Sequence, residues 1–250
     1  YEVDGLDTEG IKELTRKINP DGILVGTADI LVPSYYEVCS QLNYPCYASN
    51  KKQIEAFCTK DGFISACSNH GVDVTPNYDL DLGFNEKVLS SIQYPVIVKP
   101  VDNGGGVGMR VCNNKKELKE NAKYAHANSH TGKFLTERFM SCDDMLVYYN
   151  FMDGEIFLTA MADRVTTKKQ GNHSPVCLAA FYPSKYLDAF LKDVNPKMIN
   201  MFKELGVENG VLNIQFFVEN DRFYAYDPGF RLQGEAPHVY LNSLNRFDNR

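Results

Sequence analysis

Residues 94–112 read YPVIVKPVDNGGGVGMRVC, and four glycines (Gly104, Gly105, Gly106 and Gly108) fall within five positions shortly after Lys99. Glycine has the most backbone freedom to lose on folding, so a cluster of it lowers stability unless the loop must approach something closely. Two phosphate-binding patterns can be tested on it directly. The P-loop, G-x-x-x-x-G-K-[ST], needs a lysine after its last glycine, but Met109 and Arg110 follow Gly108. The dinucleotide fingerprint G-x-G-x-x-G fails too, because Met109 stands three positions after Gly106. Both patterns aim a helix N-terminus at phosphate. Here the apolar run YPVIVK leads in and MRVC leads out, so the spacing predicts strand, loop, strand: a flap. Consecutive backbone N–H groups without side chains can still form a concave anion site, and Lys99 would add a point charge. Taken alone, an ordinary glycine-rich hairpin with an exposed lysine is the simpler reading, so the rest of the chain has to decide.

The chain has 250 residues, 44% of them hydrophobic, enough for one large domain or two to three small ones. The net charge of −6 argues against a generic nucleic-acid binder. Seven cysteines, an odd number widely spaced with no CxxC pair, argue against a disulfide framework or a zinc site. No apolar run approaches the length of a membrane span and no signal peptide is visible. The expectation is a cytoplasmic protein without membrane or nucleic-acid partners.

The N-terminal third alternates helical and extended patterns. Thr8 is expected to cap a helix over TEGIKELTRKIN that ends at the turn Pro20-Asp21-Gly22. GILVG (22–26) reads as a short buried strand, PSYYEVCSQLN as a helix and YPCYA (44–48) as extended. Such alternation favours a parallel sheet. Because the chain enters almost at once into a helix, an earlier βαβ portion is expected to precede it. A helical stretch runs from Asn50 to a C-cap at Gly71, and VDVTPNYDLDLGFN (72–85) reads as a linker. Beyond the flap come an amphipathic helix capped by Asn113 or Asn114, an extended FLTERF (134–139), and a hairpin turning at Met152-Asp153-Gly154. A helix over 184–206, split by Pro196, precedes a last hairpin over 211–231.

That last hairpin, VLNIQFFVENDRFYAYDPGFR, alternates Leu212, Ile214, Phe216 and Val218 with Asn213, Gln215 and Phe217. If its turn is Asn220-Asp221-Arg222, Gln215 lies opposite Asp227 on the polar face. An amide oxygen beside a carboxylate suits Mg²⁺, a hard cation that shares oxygen ligands with substrate phosphates. Arg231, four residues on, would stabilise charge developing in a transition state.

In this combination the chain resembles the ATP-grasp superfamily, in its carbamoyl-phosphate synthase and biotin carboxylase branch, from about residue 20 to the C-terminus. The motifs that carry the resemblance are TKDGFISACSNHGVDVTP, VIVKPVDNGGGVGMRV, FLTERFM, the Gln215 and Asp227 pair, and D-P-G-F-R ending at Arg231. It implies an α/β fold with α+β lobes: a partial Rossmann-like pre-ATP-grasp domain (1–72), a small lobe with the flap (73–137) and a large lobe with the metal and phosphate site (138–250). It implies that Lys60 contacts phosphate, that Lys99 contacts the α- and β-phosphates, and that Gly104, Gly105, Gly106 and Gly108 close over the triphosphate. Glu137 and the backbone of Arg138 and Met140 would recognise adenine, Asp144 the ribose hydroxyls, and Gln215 and Asp227 the Mg²⁺ (or Mn²⁺). Lys99 and Arg231 would be the catalytic cations.

The departures are an aspartate, Asp227, where the family motif E-x-N-x-R has glutamate, and Gly229 where it has asparagine. The implied reaction is ADP-forming ligation of a small-molecule carboxylate to an amine through an acyl phosphate, with ATP and Mg²⁺ as cofactors. A glycinamide ribonucleotide synthetase-like ligase and a catalytically impaired ATP-binding module are the alternatives. The oligomeric state is left open, with a homodimer allowed. Lys168, Lys169 and His173, and Gln233, Glu235 and His238, are further polar loop residues that could reach nucleotide or substrate.

Overall fold

The computed structural model describes residues 1–103, 106–167 and 176–232. Two antiparallel sheets organise it. The smaller contains β1 (Asn77–Tyr78), β2 (Val96–Pro100), β3 (Arg110–Cys112) and β4 (Phe134–Arg138) in the order β1-β4-β2-β3. The larger contains β5 (Asp143–Met152), β6 (Glu155–Thr166), β7 (Cys177–Phe181), β8 (Gly210–Glu219) and β9 (Arg222–Gly229) in the order β7-β6-β5-β8-β9. The helices are α1 (Thr8–Ile18), α2 (Val32–Leu42), α3 (Lys51–Cys58), α4 (Lys60–Asn69), α5 (Glu86–Ser91), α6 (Lys115–Ala127), α7 (Leu187–Asp193) and α8 (Asn195–Glu204).

Strand alternation decides what each sheet buries. On the large sheet Met145, Val147, Tyr149 and Phe151 join Leu212, Ile214, Phe216 and Val218 in one core. Phe57 and Phe63 from α3 and α4, and Phe190, Met198, Met201 and Phe202 from α7 and α8, close over it. The aromatic contacts are edge-on: Tyr149 meets Phe202 at 4.8 Å and Phe190 meets Phe216 at 5.2 Å between ring centres. The intervening residues of β5 and β8 therefore face the other way, among them Asp144, Asn213 and Gln215. The small sheet packs Val96, Val98 and Cys112 against Leu118, Ala122 and Ala125 of α6. Asn114 caps α6 by accepting from the Glu117 N–H, and the Glu117 carboxylate reaches back to the Asn113 N–H at 2.8 Å.

Several elements differ from expectation. GILVG and YPCYA form no strand, and Leu24 is 76% exposed. An apolar run specifies burial or a ladder only when a partner strand is present, and the described residues before Val72 supply helices only. Neither sheet is parallel; the one parallel contact described is an isolated bridge between Val74 and Ala225. Asp7, not Thr8, caps α1 by accepting from the Gly10 N–H, and the helix already stops at Asn19 in the left-handed region. Residues 50–71 break into α3 and α4 at Thr59, whose side chain caps α4. The supposed linker contributes β1, which pairs Asn77 with Glu137. The split near Pro196 does occur, at Val194.

The last hairpin reaches its expected pairing by a different route. Its turn has two residues, Asn220 (φ 52°) and Asp221 (φ 59°), which matches the twist of a type I′ hairpin. That turn sets Glu219 opposite Arg222, Phe217 opposite Tyr224 and Phe216 opposite Ala225. The register then shifts, Tyr226 becomes the extra residue of a bulge, and Gln215 faces Asp227. Asp221→Gly should stabilise the protein by about 0.5–1 kcal/mol by removing the cost of a positive φ, and Asp221→Val should destabilise it. Urea midpoints of the two variants check both signs.

Candidate active site

The flap is the β2–β3 loop, as the strand-loop-strand pattern requires, with Val98 facing Arg110 across its stem. Gly104 and Gly105 lie outside the described residues. Gly108 has φ +78°, and a Cβ there would fall 2.6 Å from Pro100 Cγ, so the loop folds back on its own stem only with glycine. Lys60, the first residue of α4, holds the other side of that stem. Its N–H donates to the Val101 carbonyl at 3.3 Å, and its Nζ donates to the Asn103 carbonyl at 2.7 Å.

Lys99, on β2 beneath the flap, is buried and ion-paired to the buried Glu137 of β4 at 2.6 Å. Across the site, the rung Gln215–Asp227 lies on the face of the large sheet opposite the core. Arg231 follows β9, and its Nη2 donates to Asp29 at 2.6 Å. These groups form one electrostatic cluster. Burial lowers the Lys60 ammonium from its ordinary value, with Lys99 acting in the same direction and Asp227, Glu137 and Asp29 opposing. Burial raises the Asp29 carboxyl against the pull of Arg231, with Asp227 adding to the rise.

Lys60, Lys99, Glu137, Asp227 and Arg231 are thus brought together from four separate segments. Asp29, from the turn before α2, was not legible as a member; nothing in ADILV distinguishes it. The residues expected at the adenine hold one another: the Arg138 guanidinium lies 3.0 Å from Met140 Sδ. Arg138 donates through Nη2 to Glu219 at 2.6 Å, its N–H is taken by the Pro76 carbonyl at 2.8 Å, and Met140 is buried beside it. The expected use of the Arg138 backbone toward adenine therefore excludes its N–H. Asp144 is engaged inside the sheet: Arg164 Nη1 donates to one oxygen at 3.3 Å and Tyr226 Oη to the other at 3.1 Å. Arg164 thus pairs with Asp144 and not with its neighbour Asp163, which accepts from Ser184 at 2.6 Å. Lys168, Lys169, His173, Gln233, Glu235 and His238 lie outside the described residues.

Lys60, Lys99 and Arg231 thus share one electrostatic cluster with Asp29, Glu137 and Asp227 beside the stem of the glycine loop. The sequence profile of the family described as carbamoyl-phosphate synthase L chain, ATP binding domain, matches residues 60–239. The chain belongs to that family. The carbamoyl phosphate synthase large chain of Pseudothermotoga lettingae is 23% identical over 237 residues, 94% of this chain and 21% of that one. This chain therefore spans about a fifth of that relative's length. The fold is that of ATP-grasp enzymes. The biotin carboxylase domain of 2-oxoglutarate carboxylase from Hydrogenobacter thermophilus, solved with MgADP, ADP and bicarbonate, superposes with a TM-score of 0.78 at 20% identity, covering 93% of this chain and 52% of that one. L-amino acid ligase from Bacillus licheniformis gives 0.71 at 15% identity, covering 96% and 56%. No described helix is long and apolar enough to cross a membrane.

Two predictions follow from the electrostatics. Glu137→Ala leaves Lys99 buried without its counter-ion and should lower stability by about 3 kcal/mol, whereas Lys99→Met/Glu137→Leu should recover much of that loss. Denaturant unfolding of both decides it; equal losses would refute the assignment. Burial raises the Asp144 carboxyl, outweighing Arg164 and Tyr226. The folded chain then keeps a proton that the unfolded chain has released, so this group's contribution to stability falls as pH rises through the raised value. Asp144→Asn should flatten the pH dependence of unfolding in the range just above the ordinary carboxylate value of about 4, where the folded chain alone keeps the proton.

Proposed function

We propose that this ATP-grasp protein binds MgATP between its two sheets and joins a small-molecule carboxylate to an amine through an acyl phosphate. The observation that carries the reading is the electrostatic cluster: Lys99 and Lys60 at the flap stem, coupled to Asp227 and, through Asp29, to Arg231. The flap N–H groups and the two lysines would hold phosphate oxygens. Phosphate would release Lys60 from the Asn103 carbonyl and Lys99 from sole reliance on Glu137. Glu137 and the backbone of Arg138 and Met140 would border the adenine, and Asp144 the ribose. The cysteine and acid content around the site offers no soft-metal cluster; among the described residues no group of three His, Cys, Asp or Glu is placed to hold a metal. Gln215 and Asp227 supply hard oxygens, which fit Mg²⁺ or Mn²⁺ shared with phosphate. Bound there, the cation would neutralise phosphate charge. The chain's own part is to position the triphosphate, to supply Arg231 where charge develops, and to keep water out beneath the flap.

Within that class an amino-acid or peptide-like ligase is the preferred reading, supported by the likeness in fold to L-amino acid ligase; a glycinamide ribonucleotide synthetase-like ligase is the next. A non-catalytic ATP-binding module is the second reading, favoured by Gly229. A homodimer and a cytoplasmic setting belong to the same proposal. Calorimetric titration should show Mg²⁺-dependent ATP binding, weakened about tenfold to a hundredfold by Lys99→Ala or Lys60→Ala. A screen of acid and amine pairs for ADP release, with product masses, should then find Lys99-dependent turnover. ATP binding with no ADP release across the panel would favour the second reading, and no ATP binding would refute the first.

A further inference from the structure

Asn213 is the residue of the site face that neither the fold nor the proposed phosphate contacts account for. It is one of the few buried polar side chains, 4% exposed. On β8 it stands two residues before Gln215, so its side chain leaves the strand on the same face, one rung beyond the Gln215–Asp227 pair. Its Nδ2 donates to the Gly229 carbonyl at 3.0 Å and to the Arg231 carbonyl at 3.4 Å. Those two acceptors fix which end of the amide is nitrogen, and they leave Oδ1 as an acceptor to which no described residue donates.

Its rung partner is Gly229. A Cβ built on Gly229 would fall 2.9 Å from Asn213 Nδ2 and 3.0 Å from Oδ1. The Gly229 φ lies outside the left-handed region, so the backbone does not require glycine there. The space does: the Asn213 amide fills the volume a side chain at 229 would need. We infer that Asn213 Oδ1 is a third oxygen donor, beside Gln215 and Asp227, for the divalent cation that accompanies the nucleotide, and that Gly229 is present to admit it. Two neutral amides and one carboxylate suit a cation that takes its remaining ligands from phosphate and water. The inference rests on the nucleotide-binding reading and deepens it.

The test is Mn²⁺ titration of the full chain, followed by the electron paramagnetic resonance of free Mn²⁺, with and without ADP. ADP binding in EDTA and thermal melting in EDTA are measured beside it. Four proteins are compared: wild type, Asn213→Ala, Asn213→Asp, and the exchange Asn213→Ala/Gly229→Asn. The expected result is a loss of about tenfold or more in Mn²⁺ affinity for Asn213→Ala. Asn213→Asp keeps an oxygen while losing both donated hydrogen bonds, and should bind Mn²⁺ at least as tightly as wild type. The exchange should return to within about threefold of wild type, because it restores an amide on the same rung. An amide that only holds the Gly229 and Arg231 carbonyls would make Asn213→Asp as weak as Asn213→Ala, and that result overturns the inference. Mn²⁺ affinity of Asn213→Ala within threefold of wild type overturns it as well. If Asn213→Ala does not fold, the Asp variant and the exchange decide by the same criteria. Wild type that binds ADP in EDTA but takes up no Mn²⁺ refutes the cation donor and leaves nucleotide binding standing. Wild type that binds neither refutes both.

Discussion

The pairing of β8 with β9 is the constraint on which this structure depends. Every other residue of β8 is drawn into a core of phenylalanines, methionines and Tyr149, and that burial fixes the strand's rotation. A one-residue slip would drive Asn213 and Gln215 into the core and lift Ile214 and Phe216 out of it. The polar face is therefore held in place by the apolar one. Its last adjustment is the bulge, which sets Asp227 opposite Gln215 while the tight turn at Asn220 and Asp221 is kept.

The same economy appears in the charges. Lys99 has Glu137 and Arg231 has Asp29, while Lys60 binds a backbone carbonyl at the flap stem. Buried cations need such partners, since an unpaired charge in a low-dielectric setting is strongly unfavourable. A polyanion brought among them would meet cations already positioned and already stripped of much of their water. Asp29 also ties the segment before α2 to the end of β9, so the helical N-terminal region takes part in the site and does not merely flank it.

Much of this was legible in the sequence. The failed P-loop and dinucleotide tests, with strands on both sides of the glycines, already described a flap, and alternation in VLNIQFFV already separated core from site. The rung Gln215–Asp227 was legible as well, although from a three-residue turn; a two-residue turn and a bulge give the same sum. GILVG was misread because hydrophobicity says that a segment is apolar, not that another strand waits beside it. Thr59 breaks the 50–71 helix locally, its side chain accepting from the Gly62 N–H, and the helical pattern continuing on both sides hides that break in the sequence.

Local order therefore belongs to the sequence: helix starts at Asn50 and Asn114, the hairpin at Asp153-Gly154, the alternation of β8, and the presence of a lysine ahead of a glycine flap. These depend on neighbours a few residues away, and their physics is short-ranged. Which charges meet belongs to the tertiary structure. Asp29 and Arg231 are joined across most of the chain, Lys60 reaches a carbonyl that only the flap's stem can offer, and Asn213 fills the space beside Gly229 because two strands bring them to one rung. No periodicity encodes those meetings; they follow from how two sheets and their helices pack.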